Sequence, residues 1–75
     1  MKITIITGVW AKKYMGADNK ELTLHEGSTV EDALKAIPLP LDEVGMTLID
    51  DKSVIWGAPL SDGDVLKIYP VIIGG

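Results

Sequence analysis

The sequence ends in Ile73-Gly74-Gly75, and this diglycine is the feature that says most about chemistry. A terminal carboxylate reacts only once its oxygen is part of a leaving group, and ATP can supply that group by forming an acyl-adenylate. Glycine suits both last positions because it lacks a Cβ, so such a tail could enter a narrow channel and expose its carbonyl. The ending therefore indicates a protein that is itself the substrate of an activating enzyme, although termini are also often merely disordered.

Other residue types that carry chemistry are scarce. The chain has no cysteine and a single histidine, His25. It therefore offers no thiol nucleophile and no cysteine-ligated zinc site, and nothing indicates an oxidising compartment. Asp62-Gly63-Asp64 is typical of a tight turn, since two carboxylates without further ligands hold a cation poorly. We expect no metal and no bound cofactor.

Composition and charge restrict the classes of function. A chain of 75 residues, 47% of them hydrophobic, forms one domain with little room for an enclosed active site. The net charge of -4 argues against binding to nucleic acid or to an anionic membrane and favours a basic protein partner. No apolar run approaches the ~18 residues of a membrane span. We therefore expect a cytoplasmic protein.

Alternating hydrophobic residues predict the strands that must carry the tail. The predicted strands are residues 2–9, 20–25, 46–49, 54–56 and 65–69. Within the last of them Leu66 and Ile68 should face the core, and Pro70 should end its pairing. Gly45 is interpreted as the break that precedes the third strand.

One helix is predicted after the hairpin formed by the first two strands. Ser28-Thr29-Val30-Glu31 matches a capping box. In it the Ser28 hydroxyl would accept from the Glu31 amide, and the Glu31 carboxylate would accept from the Ser28 amide. Pro38 and Pro40 should end the helix. Apolar residues at helical spacing form a single buried stripe. These residues are Val30, Ala33, Leu34 and Ile37.

The order of elements favours one architecture. A helix between the hairpin and the later strands packs on one face of a mixed sheet and lets the first and last strands pair in parallel. We predict an α+β, ubiquitin-like β-grasp fold with a mixed sheet of four to five strands and one helix on one face. Residues 1–70 form the domain, and residues 71–75 form a flexible C-terminal tail ending in the diglycine. From Pro70 the tail could extend about 20 Å.

The sheet face opposite the helix is a candidate docking surface. Ile6, Val65 and Tyr69 should lie on it, with Lys67 among them. Several apolar groups on an open sheet face could bind a partner enzyme. Scattered exposed hydrophobic residues are also normal on small proteins, so a featureless surface stays open.

The chain resembles the ThiS/MoaD family of sulfur carrier proteins, prokaryotic relatives of ubiquitin, over nearly its whole length. The most specific part is residues 60–75, which hold a leucine, a DGD-type turn, an alternating apolar strand, Pro70 and the terminal diglycine. Gly27-Ser28-Thr29-Val30 at the start of the helix is a weaker match. A single proline and the apolar Val71-Ile72-Ile73 leave the biosynthetic pathway open.

The resemblance implies a reaction and its partners. An adenylyltransferase of the ThiF/MoeB type, similar to the ubiquitin-activating enzymes, would use ATP to adenylate Gly75, and sulfur would convert the carboxylate to a thiocarboxylate. A sulfur-accepting synthase, either a thiazole synthase or the large subunit of a molybdopterin synthase, would take the sulfur. The chain would be a carrier and not a catalyst. The implied site comprises Gly74, Gly75 and the partner-binding residues Ile6, Val65, Lys67, Tyr69, Pro70, Val71, Ile72 and Ile73.

Two other functions are compatible with the same residues. A ubiquitin-like modifier would be joined through Gly75 to lysines of other proteins after the same adenylation step. A β-grasp interaction module would have an inert tail. The sequence does not choose between the thiamine and molybdopterin pathways.

Overall fold

Five strands form one mixed sheet in the computed structural model, which describes residues 1–72. They are β1 (Lys2–Ile6), β2 (Asn19–Thr23), β3 (Val44–Ile49), β4 (Lys52–Ser53) and β5 (Val65–Pro70). Their order across the sheet is β2-β1-β5-β3-β4. β1 runs parallel to β5, and all other neighbours are antiparallel. The predicted parallel pairing of the first and last strands is confirmed.

Two helices lie in the connections. The short helix α1 (Lys12–Met15) follows a 3₁₀ turn at Val9–Ala11, so the connection from β1 to β2 is helical where the sequence indicated only a loop. α2 (Val30–Lys35) connects β2 to a second 3₁₀ turn at Leu41–Glu43. Among residues 1–72, no helix has the length and apolar character needed to cross a membrane.

The core lies between α2 and one face of the sheet. The four residues of the predicted stripe are buried, at most 7% exposed, although Ile37 lies beyond α2, which ends at Lys35 and not at Pro38 as predicted. Leu66 and Ile68 of β5 face them and are 0% and 1% exposed. Three aromatic residues are partly buried against this core. They are Trp10, Tyr14 and Trp56.

The turn at residues 62–64 joins the starts of the two parallel strands. The Lys2 amide donates to Asp62 Oδ1 at 2.7 Å, and the Thr4 amide donates to the Asp64 carbonyl at 3.0 Å. Both bonds tie β1 to the residues just before β5. The predicted turn is confirmed, and it also fixes where the parallel pairing begins.

The helix cap lies one residue later than predicted. Thr29 is the N-cap: its hydroxyl accepts from the Asp32 amide, and Asp32 Oδ2 accepts from the Thr29 amide at 2.9 Å. The prediction that Ser28 caps and Glu31 reciprocates is wrong, because Thr29 is the residue with extended backbone angles before the first turn. Glu31 instead lies 3.9 Å from Lys35, one turn along the helix.

The short strand also differs from the prediction. It consists of Lys52–Ser53, and residues 54–56 form no strand. Asp50 and Asp51 both have positive φ, 52° and 62°, and make a tight two-residue turn between β3 and β4. Hairpin turns of this kind usually contain glycine, although Asp also tolerates these angles. The turn therefore occupies only positions 50 and 51, and β4 begins two residues before the predicted strand at 54–56.

The observed cap predicts an asymmetry between two adjacent residues. Thr29→Ala should destabilise the fold by about 1 kcal/mol, because it leaves an amide of the first turn without its acceptor. For a domain of this size that corresponds to a fall in melting temperature of about 4–8 °C. Thermal unfolding followed by circular dichroism checks this. Ser28→Ala is the matched control, and a larger effect at Ser28 than at Thr29 would contradict the assignment.

Candidate functional site

The register of the strands determines which side chains lie on the sheet face opposite α2. Ile6 of β1 pairs with Lys67 of β5, and Tyr69 of β5 pairs with Met46 of β3. Residues that pair across neighbouring strands extend their side chains to the same face. The structure therefore brings the predicted face residues together, with Val65 two residues before Lys67 on β5.

This face is apolar and accessible. Ile6, Val65, Tyr69 and Met46 are 36%, 38%, 48% and 51% exposed. They lie on three adjacent strands, so the exposed groups form one patch across the middle of the sheet. We call it the open face, defined by Ile6, Val65, Lys67, Tyr69 and Met46. A contiguous exposed apolar patch of this kind is typical of an interaction surface.

Lys67 provides a cation at the centre of the open face. Its Nζ lies 3.3 Å from Asp51 Oδ1, in the turn between β3 and β4. Both side chains are well exposed, so the pair contributes little to stability and is available to a partner. Acidic pairs also lie at both ends of β3, Asp42 with Glu43 before it and Asp50 with Asp51 after it. The rim around β3 is thus negative.

An apolar groove runs beside the point where the chain leaves the sheet. Its volume is about 580 Å³. The groove is lined by Gly45, Met46, Leu48, Tyr69, Pro70, Val71 and Ile72. Ile72 is 85% exposed and Val71 47% exposed at its mouth. The groove continues the open face toward the tail, so an enzyme that binds this face would also contact the start of the tail.

The last strand extends further than predicted. β5 includes Pro70, which pairs with Val44, and the Val71 amide then donates to the Glu43 carbonyl at 3.1 Å. The chain is therefore fastened through Val71. Counted from there, the four following residues reach at most about 13–14 Å. The predicted reach of about 20 Å was counted from Pro70, and it becomes shorter when Val71 is the origin.

Gly45 lies at a different position relative to the third strand from the one predicted. It lies inside β3, at an irregularity in register between Val44 and Met46, and is not a break before the strand. This bulge adds a residue, so that Val44 is 7% exposed and faces the core while Met46 is 51% exposed and faces outward. Met46 and Gly45 were missed as site residues because local alternation does not show where a bulge lies.

The predicted residues at the tail end are only partly described. Pro70, Val71 and Ile72 lie at the groove. Ile73, Gly74 and Gly75 lie outside the described residues, so their predicted roles stay predictions.

The two carboxylates of the turn at residues 62–64 accept hydrogen bonds from backbone amides. Asp62 Oδ1 accepts from the Lys2 amide, and Asp64 Oδ2 accepts from the Ser61 amide at 2.8 Å. Across positions 1–72, no three histidine or acidic side chains gather in a way that could hold a metal ion. These groups are explained by turn geometry.

Comparison with known proteins identifies a family at the level of sequence. Residues 14–73 match a family model described as Mut7-C ubiquitin. No curated protein matches the sequence significantly.

Solved structures match over nearly the whole chain. SAMP1 from Haloferax volcanii is 18% identical with a TM-score of 0.78, covering 100% of both chains. Another structure, of H. volcanii small archaeal modifier protein 1, is 16% identical with a TM-score of 0.79, covering 95% of this chain and 98% of the other. A Pyrococcus furiosus protein assigned as molybdopterin converting factor, subunit 1, is 22% identical with a TM-score of 0.82, covering 96% and 99%. The predicted ThiS/MoaD-like β-grasp fold is confirmed.

Adjacent residues of β5 should differ sharply in their effect on stability. Ile68→Ala should cost about 2–5 kcal/mol because it opens a cavity in the core. Tyr69→Ala should cost about 1 kcal/mol or less, since the ring lies on the open face. Urea unfolding of both variants checks this. An equally large loss at Tyr69 would show that its ring is part of the folded core and not a surface for a partner.

Proposed function

The chain belongs to the Mut7-C ubiquitin family, and from this premise we propose that it is a ubiquitin-like carrier whose Gly75 carboxylate is activated by a partner enzyme. The observation that carries the proposal is the continuity of β5 with the tail. This strand contributes Val65, Lys67 and Tyr69 to the open face and leads directly through Pro70 to the C-terminal segment. One enzyme could therefore bind the face and receive the tail together.

The similar structures support a carrier or modifier. One is named a modifier protein and another a molybdopterin converting factor subunit. Each has the length of this chain, within a few residues, and the same fold. At 16% and 22% identity they share the fold with this chain, and the transfer of a function to it is our proposal.

The proposed chemistry takes place on the terminal carboxylate. A Gly75 carboxylate oxygen attacks the α-phosphorus of ATP, and pyrophosphate leaves, which gives the acyl-adenylate. Hydrosulfide, or sulfur delivered at the same oxidation level, then attacks the acyl carbon; the C–O bond to AMP breaks and a thiocarboxylate remains, with one proton released. ATP is bound by the activating enzyme, and this chain supplies the carboxylate and the docking surface.

The partner enzyme is an adenylyltransferase similar to the ubiquitin-activating enzymes. Its docking surface should be apolar, to match Ile6, Val65 and Tyr69, with basic groups toward the acidic ends of β3. Pro70 and Val71 then contact the enzyme beside the groove, and the residues after Val71 form the part of the tether that enters its channel. A sulfur-accepting synthase, for thiamine thiazole or for molybdopterin, would use the thiocarboxylate next. ATP-dependent activation is consistent with the expected cytoplasmic location.

Protein modification is the second candidate. The observation that favours it is the full-length match to SAMP1, with 100% of both chains covered. A lysine amine would attack the same adenylate or a thioester derived from it, AMP or the thiol would leave, and an isopeptide bond would form. The two functions share the activation step and differ in the nucleophile that follows. In a third alternative, an interaction module, Gly75 would not react.

Reconstitution tests the activation step. The full chain, incubated with ATP, sulfide and a candidate activating enzyme from the same cells, should gain the mass that corresponds to exchange of one oxygen for sulfur. Deletion of Gly74 and Gly75 should abolish the gain and leave the melting temperature unchanged, because the described core lies wholly within residues 1–72. Intact-mass spectrometry and thermal unfolding provide both readings.

Gly75→Ala is the matched control for the deletion. It keeps the length of the tail and the carboxylate and adds only a Cβ, so a lower rate isolates crowding at the reacting carbon. A deletion variant that still gains the mass would contradict the proposal. Loss of folding on deletion would contradict the separation of tail and domain.

The open face should control affinity for the activating enzyme. Tyr69→Ala should raise the Kd for the activating enzyme about tenfold or more, because large aromatic residues often dominate interface energies. Thr23→Ala is the control, since Thr23 lies on the edge strand β2, away from Tyr69. Isothermal titration calorimetry measures both. Equal affinities of the two variants would show that the enzyme binds elsewhere.

A further inference from the structure

The chain leaves the sheet at a defined point, which we call the tail root, Pro70 and Val71. Pro70 pairs with Val44 at the start of β3. The Val71 amide donates to the Glu43 carbonyl at 3.1 Å, and this is the last backbone hydrogen bond of the tail within the described chain. The tail root is thus held against the residues where β3 begins.

Gly45 faces the tail root at a distance that no other residue type allows. A Cβ at this position would lie 2.7 Å from the Pro70 carbonyl carbon and 2.8 Å from the Val71 nitrogen, and closer still to the Pro70 carbonyl oxygen. All three atoms are backbone, so they cannot turn aside as the end of a side chain would. Gly45 is absent from the residues with positive φ. Space, and not a special backbone angle, requires glycine here.

The bulge in β3 explains why the two segments come so close. Its irregular register lies between Val44 and Met46, on either side of Gly45. A bulge bends its strand and is a common device beside functional sites. Here the bend brings the Gly45 backbone against the tail root.

We propose that Gly45 is a positioning residue that sets the origin of the reactive tail. Its missing side chain lets the tail root lie against β3, where Val71 is fastened to Glu43. The carboxylate of Gly75 then lies within about 13–14 Å of a fixed origin beside the open face. A reactive group on a short tether of fixed origin has a high effective concentration at a nearby site. This inference rests on the proposed activation of Gly75.

Another contact supports the same anchor. The Tyr14 hydroxyl donates to Glu43 Oε1 at 3.3 Å. Tyr14 belongs to α1, in the connection between β1 and β2, and packs against the core. Glu43 therefore receives the Val71 amide on its backbone and the Tyr14 hydroxyl on its side chain. The anchor is therefore also connected to α1.

The test compares two glycine substitutions. Gly45→Ala places a Cβ against the tail root. Gly57→Ala is the matched control, because a Cβ there would meet only Ile55 Cδ1, at 4.0 Å. Amide hydrogen exchange by NMR reports the anchor at Val71 without any partner enzyme. Single-turnover adenylate formation at saturating enzyme and the Kd for docking report its use.

Gly45→Ala should make the Val71 amide exchange about tenfold faster or more, while the amides of Leu66 and Ile68 in the middle of β5 keep their protection. The rate of adenylate formation should fall about tenfold, with the Kd unchanged within about twofold, because docking uses the open face and only delivery of the carboxylate is impaired. Gly57→Ala should change none of these values.

If Gly45→Ala does not fold, Val71→Pro tests the same anchor. It removes the amide that donates to Glu43 and leaves Gly45 itself unaltered, and the strand backbone at Pro70 suits a following proline. The same fall in adenylation rate at unchanged Kd supports the inference.

Retained protection of Val71 in Gly45→Ala would overturn the anchor. Lost protection with an unchanged adenylation rate would overturn its role in delivery and leave the proposed function intact. A fall in rate that comes wholly from a raised Kd would also overturn it, because a docking defect is not a positioning defect. Absence of activation in the unaltered chain would overturn the proposed function and the role in delivery, while hydrogen exchange would still decide the anchor.

Discussion

The parallel pairing of β1 with β5 is the constraint on which the rest of this structure depends. It places the last strand at the centre of the sheet, between β1 and β3. The turn before β5 enforces the pairing, because Asp62 and the Asp64 carbonyl accept the amides of Lys2 and Thr4. Because β5 is the central strand, the segment that follows it leaves the sheet at its middle, beside the open face. The likeness to ubiquitin-type proteins lies in this arrangement.

The central strand β5 contributes some residues to the core and others to the open face. Ile68 is 1% exposed and packs under α2, and its neighbour Tyr69 is 48% exposed on the other face. Since successive residues of a strand point to opposite faces, β5 serves the core and the open face without a conflict between them. The chain passes from this strand into the tail, so the proposed docking and the proposed delivery of the carboxylate would depend on the same strand. The groove beside Pro70 and Ile72 continues the open face toward the start of the tail.

The sequence predicted what depends on periodicity and missed what depends on distant backbone contacts. The order of elements, the buried helix stripe and the parallel pairing followed from apolar spacing and from the need for a crossover. The cap was misplaced by one residue because Ser28 and Thr29 can both cap, and only the backbone angles decide. The short strand was misplaced because Asp50 and Asp51 turn the chain with positive φ and without a glycine. The role of Gly45 could not be predicted, since it comes from close approach of residues about 25 positions later in the chain. The predicted roles of residues 73–75 remain predictions.

The central claim is that the Gly75 carbonyl is the reactive group in the cell. The most direct measurement is mass spectrometry of the C-terminal peptide, on protein purified from the cells that make it under conditions that preserve thioacids. The account predicts a fraction of the chain that ends at Gly75 as a thiocarboxylate. Gly75 joined to a lysine of another protein would support the modifier in place of the sulfur carrier. A chain that carries only a free Gly75 carboxylate under sulfur-replete growth, or one in which further residues follow Gly75, would contradict the account.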